Sequence, residues 1–137
     1  MAKRLWEDHL ALGIVELDAQ HKELAAIIEE LSKAMAAGRE RDELAGIINR
    51  VNDYAQVHFA TERKYMAPYA AEIPNYELHM QEHREFFSDA IGFLLDYLDR
   101  GTATTPDLLA YLESWWAKHV GGTDKVMGSI LRSKGIA

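Results

Sequence analysis

The 137-residue sequence contains no cysteine. That absence removes disulfides, thiolate catalysis, iron–sulfur clusters and zinc–thiolate sites in one stroke. Only three prolines are present, and they fall at 68, 74 and 106, beside expected helix breaks rather than inside helices. No apolar run approaches the length of a membrane span. The opening "MAKRLWEDHL" lacks the apolar core of a signal peptide. A cytoplasmic protein that does not engage membranes is therefore expected. Basic residues are outnumbered, 15 against 22 acidic ones, for a formal net charge of −7. A surface of that sign disfavours nucleic acid and anionic lipid as partners. The length suits one domain, 1–137, with a single substantial core.

Apolar periodicity predicts four helices. The first spans about 18–37, with His21, Leu24, Ile28, Leu31 and Met35 on one face and Gly38 closing it. The second spans about 42–65, with Leu44, Ile47, Val51, Ala55, His58 and Glu62 in line. A connector, "APYAAEIP", leads to a third helix over about 75–100, with Asn75 as its expected cap. Its expected inward stripe is Tyr76, His79, His83, Phe87, Ile91, Leu94 and Leu98. Thr105 and Pro106 open the fourth helix, where Leu108, Leu112, Trp115 and His119 share a side. Short connections predict an all-α fold, an antiparallel up-down-up-down four-helix bundle over 18–132. Ahead of it lies an N-terminal arm, 1–17, whose Trp6, Leu10 and Ile14 can lie across the bundle.

Histidine and carboxylate recur on these inward faces. Any one buried histidine is most simply a satisfied core residue, but the spacings argue for more. His58 and Glu62 are four residues apart, as are His79 and His83, so each pair lies on one helix face one turn apart. His21 stands where the first apolar stripe begins, and His119 and Asp124 add a further pair. Five neutral imidazoles cannot easily satisfy one another in a core. Coordination of a cation would satisfy them, and two carboxylates would offset its charge. Imidazole suits iron, copper, nickel and zinc alike, so ligand type does not name the metal.

The step from His119 to Asp124 crosses "VGG". Five residues place two side chains about 140° apart on a regular α-helix. Both reach one site only if the helix is widened or unwound there, which glycine tolerates and a π-bulge accomplishes. Met127 and Leu131 suit a shifted register and Val126 and Ile130 an unshifted one, so the pattern leaves the choice open. The plain alternative is a helix that ends at the glycines and leaves Asp124 exposed.

A lone histidine on the first helix, HxxxE on the second, HxxxH on the third and HxxxxD on the fourth resemble the hemerythrin family. "LWEDHLALGIVELDAQH" is similar to that family's arm and first-helix entry, and the likeness covers nearly the whole chain. The resemblance implies a non-haem di-iron centre with two oxo- or hydroxo-bridged iron ions. His79, His83 and His119 would hold a filled iron, and His21 and His58 an iron with an open position. Glu62 and Asp124 would bridge them. It implies reversible dioxygen binding, with the ligand held as hydroperoxide on the open iron, for carriage, storage or delivery and not for catalysis. By motif position the dioxygen pocket would be Leu24, Phe59, Trp115, Trp116 and Val120. Trp116 departs from the family, which commonly has leucine there, and a larger indole bears on entry and on ligand stability. Arg63, where relatives are often acidic, is expected in solvent.

Two other functions fit the same centre: an enzyme reducing peroxide or nitric oxide, and a sensor of oxygen or redox state. The expected partners are dioxygen and a client oxygen-consuming enzyme, with the chain a monomer or weak homo-oligomer. His9 reads as a surface residue. Asp18, in "DAQH", reads as a cap rather than as an acceptor behind a ligating imidazole.

Overall fold

A computed structural model describes residues 5–137 of the chain. The start of the expected arm, 1–4, lies outside the described residues. Helices α1 (Val15–Ala36), α2 (Glu40–Met66), α3 (Tyr76–Arg100), α4 (Thr105–Trp115) and α5 (Asp124–Ser133) carry the fold. Between α4 and α5 runs a π-helical segment, Trp116–Thr123, without a break on either side. No strand occurs among the described residues.

The helices pack antiparallel. Gln20 and Glu30 on α1 meet Thr61 and Arg50 on α2, so rising along one helix is falling along the other. Phe59 meets Phe86 on α3 while Glu62 meets His79. Phe86 and Phe93 meet Trp115 and Tyr111 in turn. The fold is the expected all-α bundle.

Local chemistry sets the ends. At Gly38 the chain takes φ +70, the left-handed region that glycine enters at no steric cost, and α1 stops. α1 begins three residues earlier than expected, at Val15, so the last three residues assigned to the arm are helical. Asp18 then lies in its first turn, where its carboxylate accepts from the Leu12 and Gly13 amides at 2.8 and 3.1 Å. It fastens the arm and touches no imidazole. Asn75 occupies the cap position of α3, but its side chain makes no capping bond. Thr105 is already helical, and its hydroxyl donates back to the Thr102 carbonyl.

The apolar core has two parts. The larger joins Leu24, Ile28, Leu31, Ile47, Val51, Phe59, Phe86, Leu112, Trp116 and Val120, among others. The smaller joins Leu12, Ile14, Leu17, Met66, Ile73, Met127 and Leu131 beneath the arm. Each fully buried Leu, Ile, Phe or Met contributes about 1.5–3 kcal/mol. Along α1 the order is Leu17, His21, Leu24, and along α2 it is Phe59, Glu62, Met66. The histidine–carboxylate layer thus lies between the two apolar bodies.

The expected stripe of α3 is the main correction. Ile91 and Leu98 are 55% and 71% exposed, and Tyr76, Phe87 and Leu94 are only half-buried. The fully inward aromatic is Phe86. The helix has apolar residues on several sides beyond Phe86, and packing rather than periodicity chooses among them. Gly128 lies tight against the arm: a Cβ there would stand 2.9 Å from Leu12 Cδ2 and 3.1 Å from its Cβ.

Candidate metal centre

His21, His58, Glu62, His79, His83, His119 and Asp124, drawn from four stretches of sequence, meet in one buried layer. Helical spacing brings each pair together: His58 and Glu62 from one face of α2, His79 and His83 from one face of α3. The remaining pair depends on the π segment. In a helix bonded i→i+5, residues five apart stand as residues four apart do in an α-helix. His119 and Asp124 accordingly meet, Nε2 to Oδ1 at 3.1 Å. Asp124, Met127 and Leu131 are buried while Val126 is 37% exposed, so the shifted register is the one adopted. The helix does not end at Gly121 and Gly122. Both are exposed, neither has positive φ, and a Cβ on either would meet nothing closer than 3.8 Å. Their contribution is a soft backbone rather than room for a neighbour.

The two carboxylates divide their oxygens between two histidine sets. Glu62 Oε1 faces His83 at 2.9 Å, His79 at 3.1 Å and His119 at 3.9 Å, while Oε2 faces His58 at 3.1 Å and His21 at 3.6 Å. Asp124 repeats the division, with Oδ1 3.2 Å from His79 and 3.1 Å from His119, and Oδ2 3.1 Å from His21. Every one of these contacts uses the Nε2 atom. Ligand atoms of Glu62, His79, His83 and His119 lie within 4.8 Å of one another, as do those of His21, His58, Glu62 and Asp124.

Burial alone would raise the pKa of Glu62, and His58 and the other facing histidines overturn it, holding the carboxyl well below its usual range. Asp124 is likewise held down: burial and Glu62 oppose ionisation, and His119 and His21 outweigh them. Burial works against charging His21 and His79, but Asp124 and Glu62 push both up to about 9. His119 is raised well above its ordinary value for the same reasons, with Asp124 the largest favourable partner, whereas burial lowers His83. The site is one that demands positive charge around two ionised carboxylates.

Protons satisfy that demand poorly. His21 Nε2, Glu62 Oε2 and both Asp124 oxygens are buried without a properly oriented hydrogen bond, although the distances are short. Buried polar atoms are ordinarily paired. Imidazole nitrogens and carboxylate oxygens converging in this way suit transition-metal cations such as iron, and one at each histidine set would satisfy the four orphaned atoms.

Around this layer the aromatic rings are close. Phe59 stacks on His83, with centroids 3.9 Å apart and planes 8° apart. Trp116, 5% exposed, stands nearly perpendicular to His21, with ring centroids 6.4 Å apart. Leu24, Phe59, Trp116 and Val120 are buried in the larger apolar body. Trp115 is only half-buried, lies flat on His119 at 4.2 Å, and lines a surface cavity of about 230 Å³ on its outer side.

Residues 12–131 match the hemerythrin HHE cation binding domain. The chain belongs to the hemerythrin family. A bacteriohemerythrin of Stenotrophomonas maltophilia is 28% identical over 125 residues, covering 91% of this chain and 79% of that protein. A bacteriohemerythrin of Clostridium acetobutylicum is 26% identical over 125 residues, covering 88% and 95%. A hemerythrin-like protein of Naegleria gruberi is 25% identical over 127 residues, covering 92% of each. As a hemerythrin, the chain binds metal, and non-haem iron is the metal that the family implies.

Three neighbours of the hemerythrin site were not singled out by sequence. Gln20 Oε1 lies 2.6 Å from His58 Nδ1, and Glu82 Oε1 lies 2.7 Å from His119 Nδ1. Each adjoins a motif histidine in sequence, which is the signal that could have found them. Tyr54 stacks on His58 at 5.2 Å; burial, with Glu62 and Asp124, raises its pKa well above the ordinary value and keeps the phenol protonated. His9 stands apart, its side chain 69% exposed beside Glu7, and Arg63 is exposed. No helix among the described residues is long and apolar enough to cross a membrane.

Proposed function

We propose that this hemerythrin binds dioxygen reversibly at a di-iron centre, as a carrier, store or donor and not as an enzyme. The observation that carries the reading is the division of oxygens: each carboxylate turns one oxygen to each histidine set. Two cations would find their ligands here, His79, His83 and His119 for one and His21 and His58 for the other, with Glu62 and Asp124 available to both. Two ferrous ions bound there would supply the two electrons that dioxygen takes up and would recover them on its release.

The set with two histidines has the fewer nitrogens, and the Trp116 indole lies beside it. An incoming diatomic molecule has its natural place at that end. Leu24, Phe59, Trp116 and Val120 are buried in the apolar body beside the histidine–carboxylate layer, and a dry wall of that kind would slow loss of a bound ligand in charged form. Glu62 and Asp124 keep their negative charge in a dry place, which would favour two cations over a single one. Tyr54 keeps its proton, so the phenol stacked on His58 is a poor proton donor for onward reduction.

The proposed partners are dioxygen itself and an enzyme that consumes it. The deciding experiment is anaerobic. The reduced protein is loaded with iron and assayed for metal content, and its visible spectrum is followed as air is admitted and withdrawn. About two irons per chain and a charge-transfer band that appears with air and fades on degassing are expected. A band that never forms, or catalytic consumption of peroxide well above that of free iron, would replace carriage by the enzyme reading.

A further inference from the structure

Five imidazoles point Nε2 inward, so their outer nitrogens decide how good a ligand each ring is. Nδ1 of His21 and of His79 is buried with no hydrogen-bond partner. His58 and His119 each have one, and the two partners are of opposite kinds. His119 Nδ1 meets the Glu82 carboxylate at 2.7 Å, and His58 Nδ1 meets the Gln20 amide oxygen at 2.6 Å.

The direction of the second contact is forced. Thr61 Oγ1 donates to the Val57 carbonyl at 2.8 Å, so it accepts from Gln20 Nε2 at 3.1 Å. That fixes the amide with Oε1 toward His58, and an amide oxygen only accepts. His58 therefore carries its proton on Nδ1 and presents a bare Nε2 to the interior. A carboxylate can only accept as well, and Glu82 imposes the same tautomer on His119.

The tautomers match, but the charges do not. A carboxylate behind a ring draws its proton outward and makes the inner nitrogen more basic, while a neutral amide does so far less. We infer that Glu82 and Gln20 are positioning residues that make the two ends of the metal pair electronically unequal. Glu82 enriches the His79, His83 and His119 end, and Gln20 leaves the His21 and His58 end electron-poor. The inference rests on the di-iron reading. It gives that reading a physical asymmetry: ferric charge is better tolerated at the filled end, while the end that would take dioxygen holds its ligand loosely enough to release it.

Both residues stand at the border of the protein, so the exchange of one for the other is sterically mild. Glu82 lines the surface cavity beside Trp115, with Glu85, Asp89 and Lys118. Gln20 lines another of about 230 Å³ with Glu23, Arg50 and Asp53. Glutamate and glutamine have the same shape, so Glu82→Gln and Gln20→Glu change charge with little change in packing.

The experiment is mediated redox titration of the iron-loaded protein, each ferric ion taking one electron from the electrode, with iron content measured on every sample. E82Q is expected to favour the reduced form about tenfold, a rise of about 59 mV for a one-electron couple. Q20E is expected to shift the same couple downward by a comparable factor, and the double variant to return the mean potential near that of the wild type. Loosening of the site by either change would move both single variants the same way, and that result overturns the inference. So do potentials that stay within about 10 mV of the wild type at full iron content. If E82Q takes up too little iron to titrate, Q20E decides alone: a downward shift supports the inference and an unmoved potential overturns it. A wild-type chain that takes up no iron overturns the di-iron reading itself, which a loaded but unresponsive pair of variants would leave standing.

Discussion

α1 and α3 are nearly the same length, and they are held in the bundle by different forces. α1 buries eight of its 22 residues, seven of them apolar. α3 buries three of its 25, and two of those are His79 and His83. Beyond Phe86 the third helix buries nothing, and Ile91, Leu95 and Leu98 are 55%, 60% and 71% exposed. The first helix is fixed by hydrophobic burial along its length. The third buries side chains completely only at one end, through the site, and its far half packs through the half-buried Phe87, Ala90, Phe93, Leu94 and Tyr97. Metal binding in such a protein is also a way of fastening a helix.

Stripping the metal is the strongest way to break this comparison. A cation present at about a thousand times its dissociation constant contributes about 4 kcal/mol. Its removal is expected to speed amide exchange most between His79 and Phe86 and least in the middle of α1. Hydrogen-exchange mass spectrometry with and without iron would show it, and equal loosening of both helices would abolish the distinction. Next comes Phe86→Ala, which deletes the one fully buried apolar side chain of α3 and should cost about 3–5 kcal/mol. Leu31→Ala in α1 should cost about 2–5 kcal/mol, equally in the loaded and stripped protein, as read by denaturant unfolding. His83→Ala should abolish full metal loading and yet leave the stripped protein almost as stable as before. Leu95→Ala should stay within about 0.5 kcal/mol, and a larger loss would mean that the outer half of α3 is held more firmly than its exposure indicates. The smallest effect concerns acid. The paired hydrogen bonds from Arg100 lower the Asp96 pKa from 3.8 to about 2. A carboxylate held down on folding contributes above its unfolded pKa and ceases to do so as pH falls through the folded one. Asp96→Asn should therefore remove a shallow pH dependence between about 4 and 2, seen in the midpoint of thermal unfolding.

The same contrast explains what could be read in advance. Along α1 and α2 the apolar residues keep one face, and the helices lie within a few residues of their expected ends. The seven site residues were legible because charge on an apolar stripe demands an explanation. α3 defeated the pattern because Phe86, Phe87, Ala90, Phe93, Leu94 and Leu95 occupy several sides of one helix. Which of them turns inward is decided by the histidines one and two turns earlier, not by local periodicity. The register after Gly122 was open for a related reason. Val126 with Ile130 and Met127 with Leu131 are equivalent apolar pairs, and only the need to bring Asp124 to His119 chooses between them. Gln20 and Glu82 stayed hidden because each is one residue from a histidine, off the inward stripe, where a polar side chain reads as surface.

The π segment carries one further consequence. Because α4 runs into it and it runs into α5 without a break, the extra residue in its turn acts on everything downstream as a phase shifter. It rotates Asp124 into the polar layer, and by the same rotation it turns Met127 and Leu131 against Leu12, Ile14, Leu17 and Met66. Take one residue out of the segment and both would slip together, the carboxylate from its histidines and the two apolar side chains from the arm. A single local irregularity thus sets the timing of the last helix, so that the centre and the clasp beneath it can only be assembled, or lost, in step.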